Sequence, residues 1–290
     1  MTRLHVLGSG SAGNAFAVEQ DDRLLLLDAG FSAREVERRL DTAGLAGRRV
    51  AGIALTHEHG DHARGALRLA RRWSAPVLCS VGTWKALGAP ADVAHQRVAF
   101  GVPAEVDGFV VDGAATAHDA AEPLALCITT PGGARIGVAY DLGRPTVAVR
   151  HLLKVCDAIV LEANHDEYLL RVSDYPPAVR QRIAGSGGHL SNRAAAELLC
   201  EVWHEGLMLV VLAHLSRRCN AAETALATVQ DALGKLGWTG ELCAATQEGP
   251  ARVYPVGLPP ASAQLSMLIP PPAPAARPPR SAEEWQAQRA

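Results

Sequence analysis

Residues 52–62 read GIALTHEHGDH, an apolar run that breaks with no spacer into three histidines and an aspartate. The apolar half has the length and composition of a buried strand, so the polar half must stand where that strand leaves its sheet. Crowding so many ionisable groups at a sheet edge is unfavourable unless something charged receives them. His57 and His59 are two apart, which lets one loop aim both at a single ion. Asp61 and His62 follow closely enough to serve a second ion. Neutral imidazole with carboxylate suits borderline divalent metals such as zinc or manganese. In a chain of this composition, HxHxDH would arise by chance on the order of once in a thousand sequences. The cluster reads as a metal site.

A metal site needs further ligands, and partners to orient them. Three polar residues close other apolar runs: His118 in ATAHDAAEP after FVVDG, Asp141 at the end of ARIGVAYD, and His214 at the end of LMLVVLAH. Asp28, closing LLLLD, has the character of an orienting carboxylate behind a ligand histidine. Taken alone, a histidine after a strand is usually a surface or capped residue. Repetition of the pattern at successive strand ends favours ligands.

The first half of the chain alternates β-type runs (RLHVL, AFAVEQ, RLLLLD, GIALT, APVLCS, FVVDG, LALCITT, ARIGVAY) with glycine, proline or aspartate breaks. Helical patterns lie in SAREVERRLDTAG and ARGALRLARRW. The second half alternates strand and helix: DAIVLEA, PPAVRQRIAG, SNRAAAELLCEVWHEG with Ser191 as N-cap, LMLVVLAH, AAETALATVQDALGKLG, and ELCAAT as a last strand. Two such blocks predict an α+β fold, two sheets packed face to face with helices outside. Residues 1–255 form the expected single domain, and the proline-rich stretch 256–290 an expected flexible tail.

HEHGDH, preceded by Asp28 and followed in order by His118, Asp141 and His214, resembles the metallo-β-lactamase fold superfamily. The words GSGSAGN, HD at 118–119, EANHDEYLL, GHLSN and AHLSRRCN are similar to its YycJ/WalJ branch, regarded as DNA exonucleases, with PhnP and RNase Z as more distant relatives. The resemblance implies an αββα sandwich of two mixed sheets with two divalent ions, zinc or manganese, at one sheet edge. It implies that His57, His59 and His118 hold one ion and Asp61, His62 and His214 the other, with Asp141 bridging them. A hydroxide between the ions would attack a phosphodiester, and Asp61, Asp141 and His189 are the expected catalytic residues.

Several polar residues fit a phosphate. Ser9, Ser11 and Asn14 follow the first strand in a glycine turn; the segment lacks the GxGxxG-helix arrangement of a dinucleotide site. His189 and Ser191 precede a helix whose first amides suit a terminal phosphate, with His165 as a wall residue. Arg217 and Arg218 follow His214 as a phosphate clamp, and Arg64, Arg68, Arg71 and Arg72 make a basic helical face, largely solvated. GHLSN and HLSRR lack the GxSxG elbow of a serine hydrolase.

A formal charge of −2 excludes a protein that coats nucleic acid through bulk charge. No apolar run approaches the roughly 18–20 residues that cross a bilayer, and the start MTRLHVLGSG enters a strand with no signal-peptide core. The six cysteines are scattered without a CxxC pair and read as reduced core residues. A cytoplasmic hydrolase of DNA, with monomer and homodimer both open, is the expectation. A metallohydrolase of a small phosphodiester, thioester or lactone is the alternative, and a non-catalytic module is disfavoured because every ligand position is filled.

Overall fold

The computed structural model describes residues 1–248 and 252–257. In its first sheet, β1 (Thr2–Gly8), β2 (Ala15–Gln20) and β3 (Arg23–Leu27) form an antiparallel meander, and β4 (Arg49–Ala54), β5 (Val77–Cys79) and β6 (His95–Arg97) continue it in parallel. The second sheet repeats the plan. β7 (Ala104–Val106), β8 (Phe109–Ala115), β9 (Leu124–Thr129) and β10 (Arg135–Ala139) are antiparallel; β11 (Ala158–Glu162), β12 (Leu209–Ala213) and β13 (Glu241–Ala244) add on in parallel. β14 (Arg252–Val256) returns to the first sheet beside β1. Parallel neighbours need crossovers, and helices such as Ala33–Thr42, Val147–Leu153 and Ala222–Gly234 supply them.

The unbroken apolar runs have a simple cause. In β3, Leu25 and Leu27 point into the core between the sheets, whereas Leu24 and Leu26 point beneath helices. β12 does the same, with Leu209 and Val211 inward and Val210 and Leu212 outward. Strands covered on both faces need apolar residues at every position. Three apolar layers therefore separate four structural ones, and the chain is an αββα sandwich as expected.

Parallel strands within a sheet end on the same side, which gathers their following loops. The loops after β3, β4, β8, β10 and β12 carry Asp28, the histidine cluster, His118, Asp141 and His214. The helix expected over ARGALRLARRW begins at Ala66 and runs to Trp73, preceded by a separate one-turn helix Gly60–Ala63. ELCAAT is not the last strand: RVYPV follows as β14, an edge position where the missing amide of Pro255 costs little. A compact unit spans Met1–Gly257; the tail expected over 256–290 lies, from 258 onward, outside the described residues. Among the described residues, no helix is long and apolar enough to cross a membrane.

Candidate metal centre

His57 leaves β4 through Thr56, and the pair is tied to Asp28 at the end of β3. Asp28 is fully buried and accepts hydrogen bonds from Thr56 N (2.8 Å), Thr56 Oγ1 (2.8 Å), His62 Nδ1 (2.7 Å) and Tyr140 Oη (2.7 Å). Because the Thr56 hydroxyl proton goes to Asp28, its oxygen accepts from His57 Nδ1 at 3.1 Å. That fixes the tautomer and leaves His57 Nε2 with a lone pair. Burial pushes the His57 pKa well below the usual histidine value, so the ring is neutral and able to act as a ligand. Gly30 permits this packing, since a β-carbon there would stand 1.7 Å from the carbonyl oxygen of Asp61.

The second sheet supplies a matching carboxylate. Glu162, the last residue of β11, is fully buried. Its Oε2 accepts from Leu142 N (2.9 Å) and Leu190 N (3.1 Å), and its Oε1 from His189 Nδ1 (2.7 Å) and His214 Nδ1 (3.2 Å). Asp141 lies between the two sheets' contributions. Its Oδ2 is 2.8 Å from His62 Nε2 and 3.5 Å from His57 Nε2; its Oδ1 is 3.1 Å from His189 Nδ1 and 3.3 Å from His214 Nδ1. Asp28, Asp141 and His214 all adopt left-handed backbone conformations, with φ of 53°, 55° and 55°. Such strain at three strand ends is held by the surrounding packing and is typical of functional sites.

Ligand-type atoms of His57, His59 and His118 lie within 4.8 Å of one another, as do those of Asp61, His62 and His214, and those of His57, His62 and Asp141. Buried His57 Nε2, His118 Nδ1 and Asp141 Oδ1 have no hydrogen-bond partner. Asp141 Oδ1 has histidine nitrogens near it, but at angles that make no hydrogen bond. Convergent polar atoms left unmatched in a buried site fit divalent cations. The charges agree with that fit. Burial would raise the Asp61 and Asp141 pKa values, but His62 and His214 outweigh it and hold both below the usual carboxylate range. Burial likewise opposes the charged form of His214, yet Asp141, Asp61 and Glu162 raise its pKa to about 9. Carboxylates that draw a proton onto histidine will draw a metal cation to the same place.

Residues 8–148 match the metallo-beta-lactamase superfamily. The chain is 34% identical over 241 residues to the exodeoxyribonuclease YycJ of Bacillus anthracis, covering 80% of this chain and 89% of that protein. The chain belongs to the metallo-beta-lactamase superfamily. It is also 28% identical over 236 residues to the exodeoxyribonuclease WalJ of Streptococcus pneumoniae serotype 2, covering 79% of this chain and 87% of that one. The metallo-beta-lactamase fold protein YhfI of Bacillus subtilis shares the fold, with a TM-score of 0.65 at 18% identity over 88% of this chain and 99% of its own. With this family and these relatives, the chain is a metal-dependent hydrolase.

A cavity of about 410 Å³ opens over the superfamily centre, and His59, Asp61, His118, Asp141, His189 and His214 line it. Ser11 lines it too. Ser9 and Asn14, expected at a phosphate, are instead buried scaffolding. Ser9 Oγ donates to Asn14 Oδ1 at 2.7 Å and accepts from His214 N at 2.8 Å, and Asn14 Nδ2 is 3.2 Å from His62 Nε2. Their polar atoms are spent on holding the ligand loops together. Arg217 is turned to Glu248 at 2.6 Å, and Arg218 is paired with Asp174; neither lines the cavity. Ser191 caps the helix Asn192–Val202 by accepting from Ala194 N at 3.2 Å. Sequence reasoning missed Glu162, Thr56 and Tyr140. Glu162 had a signal, an acidic residue closing the apolar run DAIVLEA just as Asp28 closes LLLLD.

Proposed function

We propose that the chain is a dinuclear phosphodiester hydrolase, an exodeoxyribonuclease working from the 5′ end of DNA. The observation carrying the reading is the position of Asp141, one carboxylate in reach of histidines from both ligand groups. His57, His59 and His118 would hold one ion and Asp61, His62 and His214 the other, with Asp141 within reach of both groups. Bound there, divalent ions supply Lewis acidity, lowering the pKa of water from about 15.7 toward 7 and offsetting charge on the phosphate. The protein residues do the rest. Asp28 and Glu162 fix the orientation of His62 and of His189 and His214, so the donor set is organised before substrate arrives. His189 stands in the cavity wall beside Asp141, where a donor to the departing oxygen is needed. The names of the two exodeoxyribonuclease relatives favour DNA.

The test is a substrate panel with zinc- or manganese-loaded protein: 5′- and 3′-labelled single- and double-stranded DNA, matching RNA, and bis-p-nitrophenyl phosphate. Release of mononucleotides from the 5′ end of DNA is expected. Turnover of the small diester with DNA left intact would replace this reading by the small-substrate alternative, and preference for RNA would move the substrate class.

Glu162→Gln tests the support given to His214. The substituted amide cannot accept through both oxygens, so a group tuned to carboxylate is lost. Metal affinity is expected to fall about 10- to 100-fold, read by competition with a fluorescent chelator. Wild-type affinity in the folded variant would confine Glu162 to a packing role.

A further inference from the structure

A second cavity, of about 520 Å³, adjoins the metal-centre cavity and shares His189 with it. The helix Pro177–Ala184 borders both. Its Val179, Arg182 and Ile183 face the metal centre, and its Arg180, Gln181 and Ala184 face the second cavity. That split follows helical periodicity, opposite sides of one helix lining two spaces. The volume lies in the range that receives small ligands or parts of larger ones.

The lining is suited to an anion. Arg171, Arg180 and Arg193 contribute guanidinium groups, against Glu167 as the one acid among the lining residues. Glu167 is already engaged, by Arg193 at 3.0 Å and by the Ser191 hydroxyl at 3.0 Å. Arg180 spends one donor on Ser173 O at 3.0 Å, and Arg171 lies over the Tyr168 ring at 5.3 Å, so both keep donors to offer. The start of the helix Asn192–Val202 also borders the cavity, adding its positive dipole end. An independent observation points to a ligand. His165 lines the cavity at 3% exposure, and its Nδ1 has no hydrogen-bond partner. A buried ring nitrogen without a partner is costly unless something supplies the match.

We propose that this second cavity receives the 5′-terminal phosphate of the strand whose neighbouring phosphodiester lies over the metal centre. The proposal rests on the 5′-end reading given above and explains it. A terminal monoester carries about −1.5 to −2 charge and three acceptor oxygens, which match paired arginine forks. An internal diester carries a single charge and lacks a free end, so it offers the arginines of this cavity less to bind. Cleavage then starts at an end because a terminal phosphate held in the second cavity sets which phosphodiester lies over the metal centre.

The experiment compares kcat/KM on one oligonucleotide bearing either a 5′-phosphate or a 5′-hydroxyl. Wild type, Arg171→Ala/Arg180→Ala and Arg180→Lys are measured as metal-loaded full chains. Arg171 is exposed and Arg180 half-buried, so the variants should fold. Wild type is expected to prefer the 5′-phosphate about 10- to 100-fold, the scale of one or two charge-assisted hydrogen bonds. The preference should shrink to near one in the double variant and be partly kept by the lysine. Equal rates on both ends in wild type, or an unchanged preference in the double variant, would overturn the pocket; 5′-end release of mononucleotides would still uphold the nuclease reading. If DNA is not degraded at all, that reading fails, and titration with thymidine 5′-monophosphate and thymidine decides the pocket alone. A tenfold loss for the monophosphate only, in the double variant, would support a receptor for the 5′-phosphate of a free nucleotide. No difference would remove it.

Discussion

Asp141→Asn is expected to lower kcat/KM on any phosphodiester substrate by about 10³- to 10⁵-fold, a barrier increase of about 4–7 kcal/mol. The carboxylate is buried and within 2.8–3.5 Å of four histidines drawn from both sheets. On the proposed dinuclear reading, its neutralisation would remove the negative charge that offsets the repulsion between two cations. Asparagine is the cleaner substitution. The residue sits at φ 55°, which asparagine tolerates, whereas alanine adds left-handed strain of about 1–2 kcal/mol. The sandwich itself should persist, because Val138, Leu126 and Phe109 belong to an inter-sheet core that does not depend on the carboxylate. Circular dichroism and thermal melting establish that, and steady-state kinetics read the loss. A folded variant retaining more than about a tenth of wild-type turnover would mean that Asp141 is not shared between two ions.

The loops that carry the candidate ligands were legible because their signal is local: a polar cluster with ligand spacing, directly after an apolar strand. Glu162 was not, because one acidic residue at a strand end resembles any solvent-facing terminus until the loops carrying Leu142, His189, Leu190 and His214 close over it. Thr56 and Tyr140 are ordinary residues in sequence, and only their shared bonds to Asp28 give them a role. Ser9 and Asn14 show the opposite failure. Polar residues in a glycine turn beside a site look like substrate contacts, yet burial turns them inward as braces between ligand loops. The sandwich was readable from its doubly covered strands. Short edge elements were not: β6 and β7 have three residues each, and β14 is separated by the whole chain from its partner β1. Pairing of that kind is a tertiary outcome, set by which sheet edge remains open.

Chelation is expected to abolish hydrolysis entirely, and zinc or manganese to restore it at two ions per chain. The two proposed groups differ in charge. Three imidazoles, of His57, His59 and His118, and no carboxylate make up one group; the carboxylate of Asp61 joins His62 and His214 in the other. On the same proposal Asp141 would add its charge to both, so filling one position would neutralise part of what holds the second ion, and binding should occur in two steps of unequal affinity. Removal of the ions should lower thermal stability by an amount set by their concentration relative to their dissociation constants, since they bind the folded chain alone. Elemental analysis after gel filtration reads the stoichiometry, with Asp61→Ala as the second arm. That variant removes a ligand from one group only, so its metal content should fall toward one ion per chain while His57, His59 and His118 keep theirs. A firm maximum of one ion in the active wild type would overturn the dinuclear mechanism. Loss of both ions in folded Asp61→Ala would show instead that the two positions fill as one unit, with Asp141 coupling them strongly.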